Sequence, residues 1–394
     1  MADNALIDLN DYTLLEKIGA GASGEVFTIE EKKTKKIYAA KILLKTIGDN
    51  NENEKLCLNR ELNIMLKVHH PNIVGLIGFS PFNFHHEYKP VIITELVSNG
   101  SLADVINLER QGKASEFWNS TKKLINIYAI ASSMAYLHAN NIIHRDLKPA
   151  NILMDQYLCP KIADFGLSKV INSDQELFGM ESSFGPKGTP KYTSPEIFRS
   201  CTFSPACDVY AFAIIVYEII TNEIPYKEYT FWSIGSAVTS GIRPPFNDEI
   251  PEAYKDLISY CWVDEPEERP TFEQIVQELR ENPDFLTDSI NKDEYFNYIK
   301  FVDECNTSFD SDKPIIAIDK FILNQANAFQ QVDITQQAKE GKQNLLNQID
   351  KIISDYESNN PNKANVQEVY ELAKKLSNGE EVAMNKEKAA KLFK

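Results

Sequence analysis

At 394 residues the chain is too long for one ordinary domain, so an enzyme-sized unit plus something smaller is expected. A hydrophobic content of 43% and a mean hydropathy of -0.33 describe a soluble, core-forming protein, and the longest apolar run, Val209 to Ile220, is too short to span a bilayer. A net charge of -16, most of it carried before Phe285, argues against nucleic acid as a primary partner. The 6 cysteines show neither a CxxC pair nor a Cys/His metal spacing and read as free thiols in a reducing compartment. The first ten residues signal neither secretion nor myristoylation, so a cytoplasmic protein without a membrane partner is expected.

From Tyr12 to Leu44, polar and apolar positions alternate around a glycine-rich break and a lysine-rich one, which predicts three antiparallel strands. The first break brings Ile18, Gly19, Ala20, Gly21, Ala22, Ser23 and Gly24 into a turn whose glycines let the backbone fold closely over phosphates. Val26 then aims an apolar side chain at a base. The same glycine spacing opens a dinucleotide-binding turn, so the next element decides; EVFTIEE reads as strand, and no helix follows. The third strand, YAAKIL, carries Ala39 and Lys41. A lysine among apolar strand residues is costly to bury unless paired. Glu61 is the candidate partner, on a predicted helix whose Leu58, Leu62 and Met65 share its inner face; an exposed helix glutamate is the alternative.

The segment HHPNIVGLIGF reads as a turn entering a strand, and His85 and His86 as a solvated turn rather than a metal site. Val91 to Ile93 form a buried strand that ends in Thr94, Glu95, Leu96 and Val97 before the turn residues Ser98, Asn99 and Gly100. A polar loop, Gln111 to Ser120, precedes an amphipathic helix, Leu124 to His138, with Ile127, Ala131, Met134 and Leu137 on one face. The stretch from His144 to Gly166 then sets out a carboxylate at Asp146, a cation at Lys148, an amide at Asn151, an apolar Leu153 and a second carboxylate at Asp164. That spacing suits holding a hydroxyl nucleophile and Mg-bound phosphates in line for transfer. Val209 to Ile220 reads as a buried core helix.

From about Leu14 to Glu281 these motifs resemble the eukaryotic protein kinase domain. The resemblance implies an α+β, bilobal kinase fold over residues 12–283, with a small β-rich lobe at 12–96 and a larger, mainly helical lobe at 97–283. It also implies ATP and Mg as cofactors and protein serine or threonine hydroxyls as substrates. On this match Asp146 orients the substrate hydroxyl, Lys148 neutralises the moving phosphate, and Asn151 and Asp164 ligate Mg. Lys41, held by Glu61, faces the α- and β-phosphates. Thr94 guards the pocket behind adenine, the backbone of Glu95 and Val97 pairs with the base, and Leu153 joins the glycine-turn residues around the nucleotide.

Lys148, with Thr189 in GTPKYTSPE, resembles serine/threonine kinases, whereas CWVDEPEERPTF, Cys261 to Phe272, resembles the tyrosine-kinase-like group; dual specificity stays open. The match further implies a Glu196–Arg269 pair and an Asp208 that caps the backbone near His144 and Arg145. Ser194, Ala211 and Ala213 depart from the usual Ala, Ser and Gly. Arg145 implies control by a phosphate on the activation segment, with Ser182 and Ser183 as candidates, and Thr189 is expected to hydrogen-bond in the active site.

Beyond the resemblance, an all-α tail is expected: a helical linker over 284–362, with an apolar stripe of Leu345, Leu346, Ile349, Ile352, Ile353 and Tyr356, then a helical hairpin over 363–394 similar to a partial sel-one-like repeat. The hairpin could dock on the preceding helix, stand in a naturally short product or begin a longer array, and an ordinary amphipathic pair is the plain alternative. Possible protein partners would bind these helices. Two functions follow: an ATP-dependent serine/threonine kinase, or a catalytically silent kinase-fold scaffold. Lys41, Asp146 and Asp164 favour the first.

Overall fold

A computed structural model describes residues 5–21, 24–43, 52–170 and 189–308; Ala22, Ser23, Ser182, Ser183 and the expected helices of the tail beyond 308 lie outside the described residues. The small lobe is one antiparallel sheet built from β1 (Tyr12–Ala20), β2 (Gly24–Glu31), β3 (Ile37–Leu43), β4 (Leu76–Ser80) and β5 (Val91–Glu95), in the order β1-β2-β3-β5-β4. Helix α1 (Glu52–Lys67) connects β3 to β4.

Strand parity explains which side chains meet. Opposed residues point to the same face, and so do residues two apart on one strand. Val26 lies opposite Lys41 and Lys41 opposite Ile92; Ala39 lies opposite both Thr28 and Thr94. Val26, Ala39, Lys41 and Thr94 therefore share one face. The other face carries Ile29, Ala40, Val91 and Ile93, a buried cluster packed against Ile7, Leu9, Tyr12 and Phe84. A single-residue slip in β3 would exchange Lys41 with Ala40 and put a charge into that cluster.

The large lobe contains α2 (Leu102–Arg110), α3 (Ser120–Ala139), α4 (Pro195–Ser200), α5 (Pro205–Thr221), α6 (Ile234–Thr239), α7 (Glu252–Cys261), α8 (Phe272–Glu281) and α9 (Lys292–Ser308). Four short strands lie among them: β6 (Ile142–Ile143), β7 (Ile152–Met154), β8 (Pro160–Ile162) and β9 (Lys169–Val170), paired β6-β9 and β7-β8. Asn119 caps α3 by accepting the Lys122 N–H at 3.0 Å. The predicted single apolar face of α3 understates its burial: Leu124 through Met134 are buried on nearly every side, because α5, α8 and α9 all pack around it. Helix α5 is buried from Cys207 to Ile219, as its sequence requires.

A buried polar tie holds this lobe. Arg269, fully buried, forks onto both carboxylate oxygens of Glu196 at 2.8 Å and also donates to the carbonyls of Val263, Ala206 and Asp264. Nearby, the hydroxyl of Ser194 is buried without a hydrogen-bond partner among the described residues and does not cap α4. A buried unpaired hydroxyl is unfavourable, so Ser194→Ala should raise the unfolding free energy by about 1 kcal/mol in urea titrations. A loss of that size would show that the hydroxyl has a partner.

His70 sits in the turn between α1 and β4, where its Nδ1 accepts the Asn72 N–H at 3.1 Å. Burial, reinforced by Lys161, lowers its pKa from 6.5 to about 4. The unfolded chain therefore binds a proton as pH falls below 6.5 while the folded chain does not, so stability present above 6.5 drains away toward pH 4. That loss is about 3 kcal/mol in total. The unfolding free energies of wild type and His70→Phe should converge or cross by that amount as pH drops through this window; a pH-independent difference would contradict the assignment.

Candidate functional site

The β1–β2 hairpin closes with the Gly21 N–H donating to the Gly24 carbonyl at 2.8 Å. Its glycines serve different ends. A Cβ on Gly24 would lie 2.5 Å from the Ile42 carbonyl oxygen, so the sheet itself demands glycine there. Among the described residues, a Cβ on Gly19 would touch only Val26, and one on Gly21 would meet nothing within 4 Å. These two positions leave open space along the backbone, as a phosphate cradle needs. Ala20 pairs with Glu25 across the hairpin, and Ile18 is exposed.

On the shared face, Lys41 Nζ donates to Glu61 Oε1 at 2.8 Å and lies 3.8 Å from Asp164 Oδ1. Leu58, Leu62 and Met65 are buried beside Glu61, fixing the roll of α1 that points the carboxylate inward. Burial alone would depress the Lys41 ammonium, but Glu61 and then Asp164 outweigh it and hold its pKa above the ordinary lysine value. The ammonium thus stays charged at neutral pH while half-buried.

At the end of β5, the Thr94 hydroxyl donates to the Glu95 carbonyl at 3.2 Å. The Glu95 N–H is used by Gly75, and its carboxylate accepts from the Gly75 N–H and from Lys161. The Val97 N–H has no partner among the described residues. Leu153, on β7, bridges to Ser101 just past this connection.

The loop after β6 is fastened from beneath. Asp208, 1% exposed, accepts the His144 and Arg145 N–H groups at 2.8 and 2.9 Å and the His138 Nε2 at 2.9 Å. Arg145 takes a left-handed φ of 70°, and Asp164 one of 63°, conformations that non-glycine residues adopt only when their surroundings impose them. Asp146 Oδ2 accepts from Lys148 Nζ at 2.6 Å and from Asn151 Nδ2 at 2.9 Å. Its Oδ1 has no partner among the described residues. Asn151 also donates to the Asp146 carbonyl, and its own carbonyl accepts the Ala163 N–H at 2.9 Å, which ties the two carboxylate loops together. Phe165, fully buried, packs its ring 5.4 Å from that of His144.

Asn151 and Asp164 offer an amide oxygen and a carboxylate, the hard donors that magnesium takes alongside phosphate oxygens and water. Asp164 keeps a side-chain exposure of 45%, which leaves it open to such a partner. Among the described residues no group of three or more His, Cys, Asp or Glu could hold a metal by itself, His85 and His86 included. Thr189 lines a small cavity with Asp146, Arg145 and Tyr192, but its hydroxyl makes no hydrogen bond to Asp146 or Lys148. The Arg145 guanidinium stacks 3.8 Å over the Phe203 ring.

The sequence reading missed Glu218. It is buried, accepts from the Tyr192 hydroxyl and from Arg110 at 2.7 Å, and ties the turn after Thr189 to α2. A lone glutamate inside the apolar run of α5 was the available signal.

Residues 12–279 match the family model described as protein tyrosine and serine/threonine kinase. The chain is similar to a probable LIM domain-containing serine/threonine-protein kinase of Dictyostelium discoideum, 33% identical over 283 residues, covering 70% of this chain and 40% of the relative. It is likewise similar to the tyrosine-protein kinase FRK of Homo sapiens, 35% identical over 290 residues, 73% of this chain and 54% of the relative. The dual specificity protein kinase pyk3 of Dictyostelium discoideum is 30% identical over 313 residues, 76% of this chain and 21% of the relative. The chain thus spans 54% or less of the length of these relatives.

Proposed function

The chain belongs to the protein tyrosine and serine/threonine kinase family, and from that premise we propose that it transfers the γ-phosphate of ATP to serine and threonine hydroxyls of proteins. The observation that carries this reading is Asp146, one carboxylate oxygen fixed by Lys148 and Asn151 and the other left for an incoming hydroxyl. Asp146 would orient that hydroxyl and take its proton as the bond to phosphorus forms, while Lys148 meets the charge on the phosphoryl oxygens. Lys41, kept charged and aimed by Glu61, would hold the α- and β-phosphates. Gly19, Ala20, Gly21 and Gly24 would line the phosphates with Ala22 and Ser23. Ile18, Val26, Ala39 and Leu153 would enclose the base, with Thr94 behind it and the Glu95 carbonyl and Val97 N–H along its edge. Magnesium, held by Asn151 and Asp164, would neutralise phosphate charge during transfer.

The preference for serine and threonine rests on Lys148 and on relatives named as serine/threonine kinases; membership of the tyrosine-kinase-like group rests on Cys261 to Phe272. We assign the kinase unit to 12–283, the linker to 284–362 and a partner-recruiting, sel-one-like hairpin to 363–394, in a cytoplasmic protein whose activation involves Ser182 or Ser183. Among the described residues no helix is long and apolar enough to cross a membrane. Transfer from labelled ATP to a generic basic protein and to the chain itself, followed by phosphoamino-acid analysis, tests the specificity. Label on serine and threonine supports it; label confined to tyrosine would overturn it.

A further inference from the structure

Helix α9 lies beyond the residues matched by the family model, in a stretch whose sequence reads as linker. It nevertheless belongs to the same compact unit and packs on α3. Tyr295, Ile299 and Val302, at helical spacing, are buried. The Tyr295 hydroxyl donates to the Leu279 carbonyl at 2.9 Å, its ring meets that of Tyr128 edge-on at 6.0 Å, and the Asn291 N–H donates to Thr121 Oγ1 at 2.8 Å.

From this seat α9 reaches beyond the helical packing. Tyr298 presents its hydroxyl to Asn72, whose amide donates to it at 2.6 Å. Asn72 is 3% exposed and stands at a junction. Its amide also donates to the Pro160 carbonyl at 2.9 Å, and its carbonyl accepts the Ile162 N–H at 2.8 Å, while the Val74 N–H returns to the Ile162 carbonyl at 2.9 Å. These bonds hold β8, and Asp164 follows β8 by two residues. On its other side Asn72 closes the turn that leaves α1, the helix carrying Glu61; there the His69 N–H donates to the Tyr136 hydroxyl at 3.0 Å. A primary amide has two donor hydrogens, and here the Pro160 carbonyl takes one and Tyr298 the other. Without the phenol oxygen one of them would be left buried and unpaired.

We propose that Tyr298 is a positioning residue for the kinase reaction: through Asn72 it fixes both β8, and hence Asp164, and the end of α1 that sets Glu61. The catalytic unit assigned above thereby extends through α9. This rests on the phosphotransfer reading, because Asp164 and Glu61 matter to the reaction only within it.

The test compares the full wild-type chain with Tyr298→Phe, which keeps the ring, and with Tyr295→Phe, which loosens α9 without touching Asn72. Two readouts are needed: hydrogen exchange at the Val74 and Ile162 amides without nucleotide, and transfer from ATP as a function of magnesium concentration. Tyr298→Phe should speed exchange at those amides, lower kcat by about 2- to 30-fold and raise the magnesium concentration for half-maximal rate. Tyr295→Phe should leave all three near wild type. Unchanged exchange and magnesium dependence in Tyr298→Phe, or equal changes in Tyr295→Phe, would overturn the positioning role. A wild-type chain that transfers no phosphate would instead overturn the reading beneath it, while the exchange comparison would still decide whether Tyr298 holds β8.

Discussion

Replacing Asp146 with Asn should lower phosphoryl transfer by about 10²- to 10⁴-fold, the range lost when a positioned general base is removed. The amide nearly matches the carboxylate in shape, so the loop that Asp208 holds through the His144 and Arg145 N–H groups should keep its place. What changes is chemical. An amide oxygen cannot take the proton of the hydroxyl, and Lys148 loses the anion it now contacts at 2.6 Å. ATP affinity should stay close to wild type, because the groups assigned to the phosphates, Lys41 and the glycine turn, lie on the other lobe. A rate falling together with ATP affinity would mean that the substitution disturbs the site as a whole. That is checked by measuring nucleotide binding and turnover on the same preparation.

The second large effect concerns stability. Arg269→Met should lower the unfolding free energy by about 3–5 kcal/mol, the usual cost of leaving a buried charge without its partner. The Arg269 side chain is fully buried, and its fork onto Glu196 satisfies both carboxylate oxygens. Methionine fills much of the volume but leaves Glu196 facing an apolar neighbour. Adding Glu196→Gln to Arg269→Met should return part of the loss, because the stranded charge is then gone; the double-mutant cycle reads this directly. Strict additivity would show that the pair is not coupled, and urea unfolding monitored by tryptophan fluorescence supplies all four free energies.

Much of this fold and site was legible in the sequence because it is set by short spacings. Alternation fixed the face of Lys41, and three- and four-residue periodicity fixed that of Glu61, so their 2.8 Å contact follows once the sheet and helix form. The Asp146, Lys148 and Asn151 cluster lies within six residues of chain and closes on itself. Asp208 and the Glu196–Arg269 pair were legible through resemblance alone, since their partners are far apart in sequence. What escaped depends on which distant surface an element meets. Nothing local distinguishes a tyrosine at 298 that packs against solvent from one that reaches Asn72 across 226 positions of chain. Burial of α3 on all sides likewise requires knowing that α9 returns to cover it. Thr189 shares a cavity with Asp146 yet makes no bond to it, which spacing could not reveal.

Phosphate transfer itself is the most direct measure of what this constellation does. Labelled ATP and magnesium should be incubated with the full chain and a generic basic protein, wild type beside Asp146→Asn. Incorporation by the wild type that falls to background in the variant is the result this account predicts. Equal background in both, from chains that bind ATP and unfold cooperatively, would contradict it and leave a kinase fold that works as a scaffold.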